Sequence, residues 1–523
     1  MIGESATPAD SQPQTIALSL IAHTNAGKTT LARTLLGRDI GEVRDAPHVT
    51  GSAERHTMVE SAQGDVLALW DTPGLGDSAR LARRLAGVDH PVARLLAMTW
   101  DRWRDRALWS SQQAVRNVRD EADVVLYLVN ASESPGDAGY VAPELAILEW
   151  IGKPVIVLLN QTGRPRPADA EAADVARWRA AIGEHPCIED VLSLDAFARC
   201  WVQEGVLLRA VARALPPAKQ PAFRRLAAAW KAERDAQFDA SMTALAQPIA
   251  RAACARVTMP NAGVGGTLAD IGRAIGLSRR RIDRTKQAAM RSLAMRLDDD
   301  IRASTERLIA IHRLGGRAAD EVTVRLAQHL KTDAPLDERK AAVIGGFVSG
   351  ALTGLAADLA SGGLTFGAGL LAGGVVGAVG AAGLARGFNL VRGKRASIVS
   401  WSDEFLRSLV PGAVLRYLAV AHYGRGRGDF AASEYPAFWR EAVTAAANRA
   451  QGRLQPVFAA RGVEPCDADA VAEAAKDAFR AIALDVLATL YPDALPRATR
   501  SAENATPAAR AAARQGQDQP GSG

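Results

Sequence analysis

Aromatic residues make up only 5% of the chain, while hydrophobic residues as a whole reach 48%. The apolar content is therefore mostly Ala, Leu and Val, a helix-rich signature for much of the length. Cysteine is scarce. Cys187, Cys200, Cys254 and Cys466 are scattered with neither metal-like nor disulfide-like spacing, which points away from a zinc module and toward a reduced, cytosolic setting. Neither sign of charge dominates. The net charge of +6 permits contact with anionic lipid or nucleic acid and demands neither. Residues 1–14 are polar, with Pro and Ser and no basic region leading into an apolar run, so they read as disordered and carry no secretory signal. No repeat is long enough for a solenoid. With 523 residues the chain is too long for one ordinary core, and roughly two to four domains are expected.

Residues 15–215 alternate short apolar runs with helical stretches, the pattern of an α/β unit. The runs are 16–21, 66–70, 124–129, 155–159 and 191–194, and 58–60 is a weaker candidate for an antiparallel hairpin partner of 66–70 across Gln63-Gly64. The first run leads into Ala22-His23-Thr24-Asn25-Ala26-Gly27-Lys28-Thr29-Thr30, after which a helical pattern opens. Strand, loop and helix in that order form a phosphate-binding P-loop, with Ala22 where the pattern usually has its first Gly. Backbone N–H groups of Asn25, Ala26, Gly27, Lys28 and Thr29 are expected to cradle phosphates, favoured by the helix dipole, with Thr30 in the same first turn. Lys28 is expected to reach the β/γ oxygens and the Thr29 hydroxyl to ligate Mg²⁺.

The run at 66–70 ends in Asp71-Thr72-Pro73-Gly74-Leu75. A carboxylate at that strand end is placed near Mg²⁺, usually through water, and the Gly74 amide can meet the γ-phosphate, so that hydrolysis releases the loop. Between the two motifs lies Asp45-Ala46-Pro47-His48-Val49-Thr50. Together these residues resemble the Era-like GTPases, the translation-factor-related branch in which a G-x-P-N-x-G-K-S loop precedes a Thr-containing loop and then D-T-[AP]-G. The resemblance implies a mostly parallel sheet with one antiparallel strand, GTP as ligand and Mg²⁺ as cofactor. It makes Thr50 the switch residue that completes the Mg²⁺ shell, with Thr57 as runner-up. It offers Asn25 two readings, a K⁺ ligand that supplies charge in place of an arginine finger, or a simple loop-capping Asn. Leu75 stands where some GTPases carry a water-orienting Gln, which a leucine cannot replace, so slow hydrolysis is expected. His23, His48 and His56 read as solvated side chains rather than essential groups.

The base-recognition motif is expected after 155–159, where Asn160-Gln161-Thr162-Gly163 stands. The resemblance makes Asn160 and Gln161 base-loop contacts, but Gly163 replaces the Asp that would grip guanine N1 and N2. Either another residue compensates or discrimination against ATP is weak. Ser193-Leu194-Asp195 is a poor match to the Ser-Ala-Lys that would close over the base. Residues 98–109 place three tryptophans among alternating charges, favouring a packed helix with a solvated face over nucleic-acid contact.

Beyond Pro216 the alternation gives way to apolar residues stepping by three and four, so residues 216–340 and 396–495 are expected to be helical. Phe223, Leu226 and Trp230, then Phe238, Met242, Leu245 and Ile249, are the first such faces. Met290, Leu293, Leu297, Ile301 and Leu308 follow, with Phe405, Leu406, Leu409, Leu415 and Tyr417 later. The basic cluster Arg279-Arg280-Arg281 with Arg284 and Lys286 suits either an anionic surface or a solvated face. Residues 341–395 are expected to form a Gly-rich hydrophobic hairpin, with small residues at four-residue spacing and basic residues at both ends. Membrane association through 341–385, at the cytoplasmic face, is favoured over a buried soluble hairpin. Residues 496–523 read as a disordered tail. The layout resembles bacterial Era-like GTPases with a C-terminal helical domain of unknown function. It implies a GTP-binding switch with slow Mg²⁺-dependent hydrolysis, coupled to the membrane or to an unidentified protein partner. Dynamin-like remodelling and a binding module of relaxed base specificity are the alternatives.

Overall fold

A computed structural model describes residues 12–40, 53–97, 105–163, 165–197, 200–260, 271–314, 388–392, 396–424, 436–461 and 465–495. The chain divides into two compact units, Met1–Ala236 with His422–Asp429, and Gln237–Ala421 with Phe430–Gly523.

The first unit is built on a six-stranded sheet of order β2-β3-β1-β4-β5-β6. Its strands are β1 Thr15–Ala22, β2 Glu54–Glu60, β3 Val66–Asp71, β4 Val124–Asn130, β5 Val155–Asn160 and β6 Ile188–Ser193. Only β2 is antiparallel to its neighbour, and its hairpin with β3 is the weak candidate read from residues 58–60. Strand β6 begins earlier than expected, because Ile188, Glu189 and Asp190 lie at an edge and lack a continuous apolar run. The continuous apolar runs follow from burial on both faces. Ile16, Leu18 and Leu20 join Val124, Leu126 and Leu128 in one core, while Ile21 joins Val125, Tyr127 and Val129 in the other.

Seven helices of this unit flank the sheet among the described residues: α1 Lys28–Leu36, α2 Ser78–Leu85, α3 Pro91–Ala97, α4 Arg106–Glu121, α5 Val141–Ile151, α6 Ala168–Ile182 and α7 Trp201–Ala214. Of the expected helix over residues 98–109, only the part from Arg106 is described as helix, so Trp100 and Trp103 lie outside the described residues. Strand β1 sits between β3 and β4, so connections leave its C-terminal end toward opposite sides. A crevice opens at such a switch point. The compact unit runs past residue 215. The long helix α8, Gln220–Cys254, buries Phe223, Leu226 and Trp230 against the first core. Arg225 also reaches the buried Asp65 of the β2–β3 turn at 2.6 and 2.8 Å.

The second unit is mainly helical, with α9 Ile271–Ile311, α10 Asp403–Ala421, α11 Ala437–Arg449, α12 Gln451–Ala460 and α13 Ala468–Leu490. The periodic faces are buried as read, except that Leu415 is half-buried and its neighbour Arg416 is buried instead. Pro248, inside α8, cannot donate to the carbonyl of Ala244. The Ser304 hydroxyl of α9 does so at 2.6 Å. Residue-by-residue periodicity does not anticipate a small antiparallel sheet here, β7 Arg256–Pro260, β9 Ala396–Trp401 and β8 Phe388–Arg392, in the order β7-β9-β8. Its strands are too short to separate from helix by periodicity alone. Nor does spacing reveal that Cys254 and Cys466 are disulfide-bonded, with Cα atoms 5.6 Å apart across 212 residues of sequence. The reading of four cysteines without disulfide-like spacing is corrected at this pair, while Cys187 and Cys200 are in no disulfide.

The hairpin at 341–385 and the switch residue Thr50 lie outside the described residues, as do the side chains of the Arg279-Arg280-Arg281 cluster. Among the described residues no helix is long and apolar enough to cross a membrane.

Candidate functional site

The C-terminal ends of β1, β3 and β5 meet at one edge of the sheet, and the register there brings distant motifs together. Leu20 pairs with Asp71, and Asn130 with Asn160. The loop from His23 to Gly27 turns the chain into α1 through two left-handed residues, Asn25 at φ 68° and Gly27 at φ 86°. Asn tolerates that region better than most side chains, and glycine adopts it at no steric cost. A Cβ on Gly27 would also lie 2.7 Å from Nδ2 of Asn160.

Asn160 is buried and bonded on both sides of its carboxamide. Its amide donates to the Ala26 carbonyl at 2.8 Å, and its oxygen accepts from the Ala196 amide at 2.9 Å. Gln161, itself left-handed at φ 58°, donates to the Asn25 carbonyl at 3.3 Å. These two residues therefore brace the phosphate loop from the base side. Gly163 stands at φ 84° with open space around it and provides no carboxylate. Asp195, from the loop after β6, sends a carboxylate to the same loop, but it accepts from the Thr162 amide at 2.6 Å and hydroxyl at 2.9 Å, and from the Phe197 amide at 2.7 Å. That makes it a cross-brace between the two loops.

At the phosphate side, the Thr29 hydroxyl donates to Asp71 Oδ2 at 2.6 Å. The other oxygen of Asp71 is buried without a hydrogen-bond partner. A buried carboxylate with a lone pair unused, beside a threonine hydroxyl at a helix N-terminus, is a donor set that a hard divalent cation fits. Burial pushes the Asp71 carboxyl up, opposed by the Thr29 hydrogen bond and by Lys28. Burial likewise pushes the Lys28 ammonium down, opposed by Asp71 and by Glu144. An anion beside Lys28 would offset its penalty, and a cation beside Asp71 would offset that of the carboxylate. Gly74 lies against this pair, and a Cβ there would be 3.2 Å from Lys28 Nζ and 3.1 Å from the Thr24 backbone. Thr30 is buried on α1.

The loop after β3 is anchored along most of its length. The Thr72 hydroxyl donates to the Leu20 carbonyl at 2.5 Å, and the Leu75 amide to the Ala22 carbonyl at 2.9 Å. The Leu75 carbonyl accepts from the Thr24 hydroxyl at 3.3 Å, and the Gly76 amide donates to Ser111 Oγ at 2.9 Å. Leu75 is fully buried in the second core, so its side chain faces away from solvent. Thr57 lies within β2, opposite Ala68. His56 is on the same strand, close to Glu54 at 3.7 Å.

His23 departs most from its sequence reading. Its ring stacks on Tyr140 with centroids 4.5 Å apart, and Nδ1 pairs with the buried Glu144 at 2.8 Å. The sequence carries no signal for Glu144, which looks like an ordinary acidic residue in the first turn of α5.

The family description "Domain of unknown function (DUF3482)" matches residues 188–461, more than half of the chain. The description "50S ribosome-binding GTPase" matches residues 18–161, which thus form a P-loop GTPase domain. No curated protein matches the chain. Among solved structures, Era in complex with MgGDPNP and a segment of 16S ribosomal RNA is 17% identical, with a TM-score of 0.29, over 39% of this chain and 58% of that one. An Aquifex aeolicus Era variant bound to GDP and AlF4⁻ is 17% identical, with a TM-score of 0.28, over 39% of this chain and 57% of that one. The chain thus spans less than two thirds of either Era chain. A member of an oligomerised bacterial dynamin pair is 10% identical, with a TM-score of 0.23, over 98% of this chain and 74% of that one.

Proposed function

Because the chain belongs to the DUF3482 family and carries a P-loop GTPase domain ahead of that family's region, we propose that it is a nucleotide switch. In this reading, residues 15–215 bind GTP with Mg²⁺ and hydrolyse it slowly. The helical half couples the nucleotide state to a membrane, through 341–385 at the cytoplasmic face, or to a protein partner. The observation that carries the proposal is the convergence of Lys28, Thr29, Asp71 and Gly74 at the N-terminus of α1.

Backbone amides from Asn25 to Thr29 would bind the β- and γ-phosphates, and Lys28 would bridge their oxygens. Thr29 directly, Asp71 through water, and Thr50 would hold Mg²⁺, which when bound neutralises charge on the transferred phosphoryl group. The Gly74 amide would face the γ-phosphate. Water attacks the γ-phosphorus, the bond to the bridging oxygen breaks, and the diphosphate leaves. With Leu75 buried, its side chain orients no water, which supports slow turnover. Asn25 would contribute a K⁺ ligand, and a rate that is higher in K⁺ than in Na⁺ at equal ionic strength would bear this out.

Relaxed base specificity is a second reading, supported by the open space at Gly163 and by the engagement of Asp195 with Thr162 and Phe197. A site built to read an edge group usually rejects its rival by a large factor, and this one lacks the carboxylate for it. Titration with labelled GTP, GDP and ATP tests both readings. Tight binding of GTP and GDP with weak ATP supports the first, and equal GTP and ATP affinities support the second. The membrane element is tested separately by deleting residues 341–385. Release of the protein to the soluble fraction is expected, and full-length protein already soluble without detergent would refute it.

A further inference from the structure

Glu144 has no exposed surface, yet it accepts hydrogen bonds from three different elements. His23 Nδ1 of the phosphate loop lies at 2.8 Å, the Tyr127 hydroxyl of β4 lies at 2.9 Å, and the hydroxyl of Ser78, first residue of α2, bonds it as well. A buried carboxylate is costly unless its lone pairs are met in this way. Burial pushes the Glu144 carboxyl up, and the His23 and Tyr127 hydrogen bonds oppose that push. Its charge is also felt at Lys28, whose ammonium it stabilises. His23 is fixed a second time by its bridge to Leu75, the residue after Gly74.

The segment 71–78 therefore hangs from β1 at Leu20 and Ala22, from the phosphate loop at Thr24 and from α1 at Thr29, and its far end at Ser78 meets the same carboxylate that holds His23. Pro73 and Gly74 lie between the anchored Thr72 and Leu75, and Gly74 lies beside Lys28. We propose that Glu144, acting through His23 and Ser78, is a positioning residue that keeps the phosphate loop and the start of α2 in one register. Gly74 is thereby held beside Lys28 Nζ, where its amide and the ammonium could both face a γ-phosphate. The inference rests on the nucleotide reading above. A carboxylate that merely braced the fold would lower stability without separating turnover from affinity.

The full chain with Glu144→Ala, Glu144→Gln and Ser78→Ala distinguishes the two roles. Three readouts are needed: hydrogen exchange at amides 75–78, turnover of Mg·GTP, and affinity for labelled GDP. For Glu144→Ala and Ser78→Ala, faster exchange at 75–78 is expected, with kcat lower by about tenfold or more and GDP affinity within about threefold, since misplacement of catalytic groups costs rate before ground-state binding. Glu144→Gln, whose amide oxygen still accepts from His23, should recover most of the turnover. Unchanged exchange at 75–78 would overturn the inference. So would a Glu144→Gln variant as impaired as Glu144→Ala, or GDP affinity falling in step with turnover. If the wild-type chain binds GDP but turns over no triphosphate, the hydrolysis reading fails and the exchange pattern alone decides the role of Glu144.

Discussion

The two units bury polar groups in opposite ways. In the first, Lys28, Asp71, Asn160, Glu144 and Asp195 gather at one edge of the sheet, and their bonds cross from loop to loop. Asp71 keeps a buried oxygen without a partner, and Lys28 is buried between carboxylates. In the second, the described buried polar groups mostly close gaps between neighbouring helices. Ser304 satisfies the carbonyl freed by Pro248, and Arg416 donates to the Ile301 carbonyl at 3.1 Å and to the Thr305 hydroxyl at 3.1 Å. Burial lowers Arg416 to about 10, still charged at neutral pH. An unmet buried atom does not by itself separate the units, since Arg416 Nε also lacks a partner; the convergence of ionisable groups at one sheet edge does.

Variants can break or sharpen that contrast. Lys28→Ala should have the largest effect, a loss of nucleotide affinity of about a hundredfold or more, since one preorganised phosphate donor is worth that much. Calorimetry should show little change in melting. Asp71→Asn should raise the Mg²⁺ concentration needed for half-maximal GTP binding by about tenfold or more, the usual cost of disturbing a metal's inner or outer ligands. Gly163→Asp should move the GTP-to-ATP affinity ratio toward GTP by about tenfold. Because Gly163 has φ 84°, some of that gain will be lost to backbone strain. In the second unit, Ser304→Ala should leave nucleotide affinity untouched and cost about 1–2 kcal/mol in denaturant unfolding, because the Ala244 carbonyl loses its donor.

The smallest effect concerns acid. The Arg225 hydrogen bonds, with those from Ser61 and the Gln14 amide, hold the Asp65 carboxyl well below the usual carboxylate range. A depressed folded pKa contributes stability that is complete above the unfolded value, about 4, and is lost as pH falls through the folded one. Wild-type stability should therefore drop on acidification below about pH 4, and Arg225→Ala should flatten that drop.

Much of the first unit was legible because two signals reinforced each other. Continuous apolar runs such as 16–21 require burial on both faces, and Gly27-Lys28-Thr29 and Asp71-Thr72-Pro73-Gly74 stand at strand ends. Glu144 was not legible, because its meaning comes from His23, Tyr127 and Ser78, up to 121 residues away in sequence. In the sequence Asp195 is only a poor match to a base-closing motif, since its partners at Thr162 come beside it through the pairing of β5 with β6. The small sheet and the Cys254–Cys466 bond escaped for related reasons. Five- and six-residue strands carry too little periodicity, and a bond spanning 212 residues has no local pattern.

The most direct measurement is equilibrium titration of the full chain with labelled GTP and ATP, with and without Mg²⁺, beside Lys28→Ala. The account predicts saturable, Mg²⁺-dependent binding of GTP that Lys28→Ala weakens by about a hundredfold or more, with ATP competing only weakly. Absence of binding to the wild-type chain, or equal binding by Lys28→Ala, would contradict it.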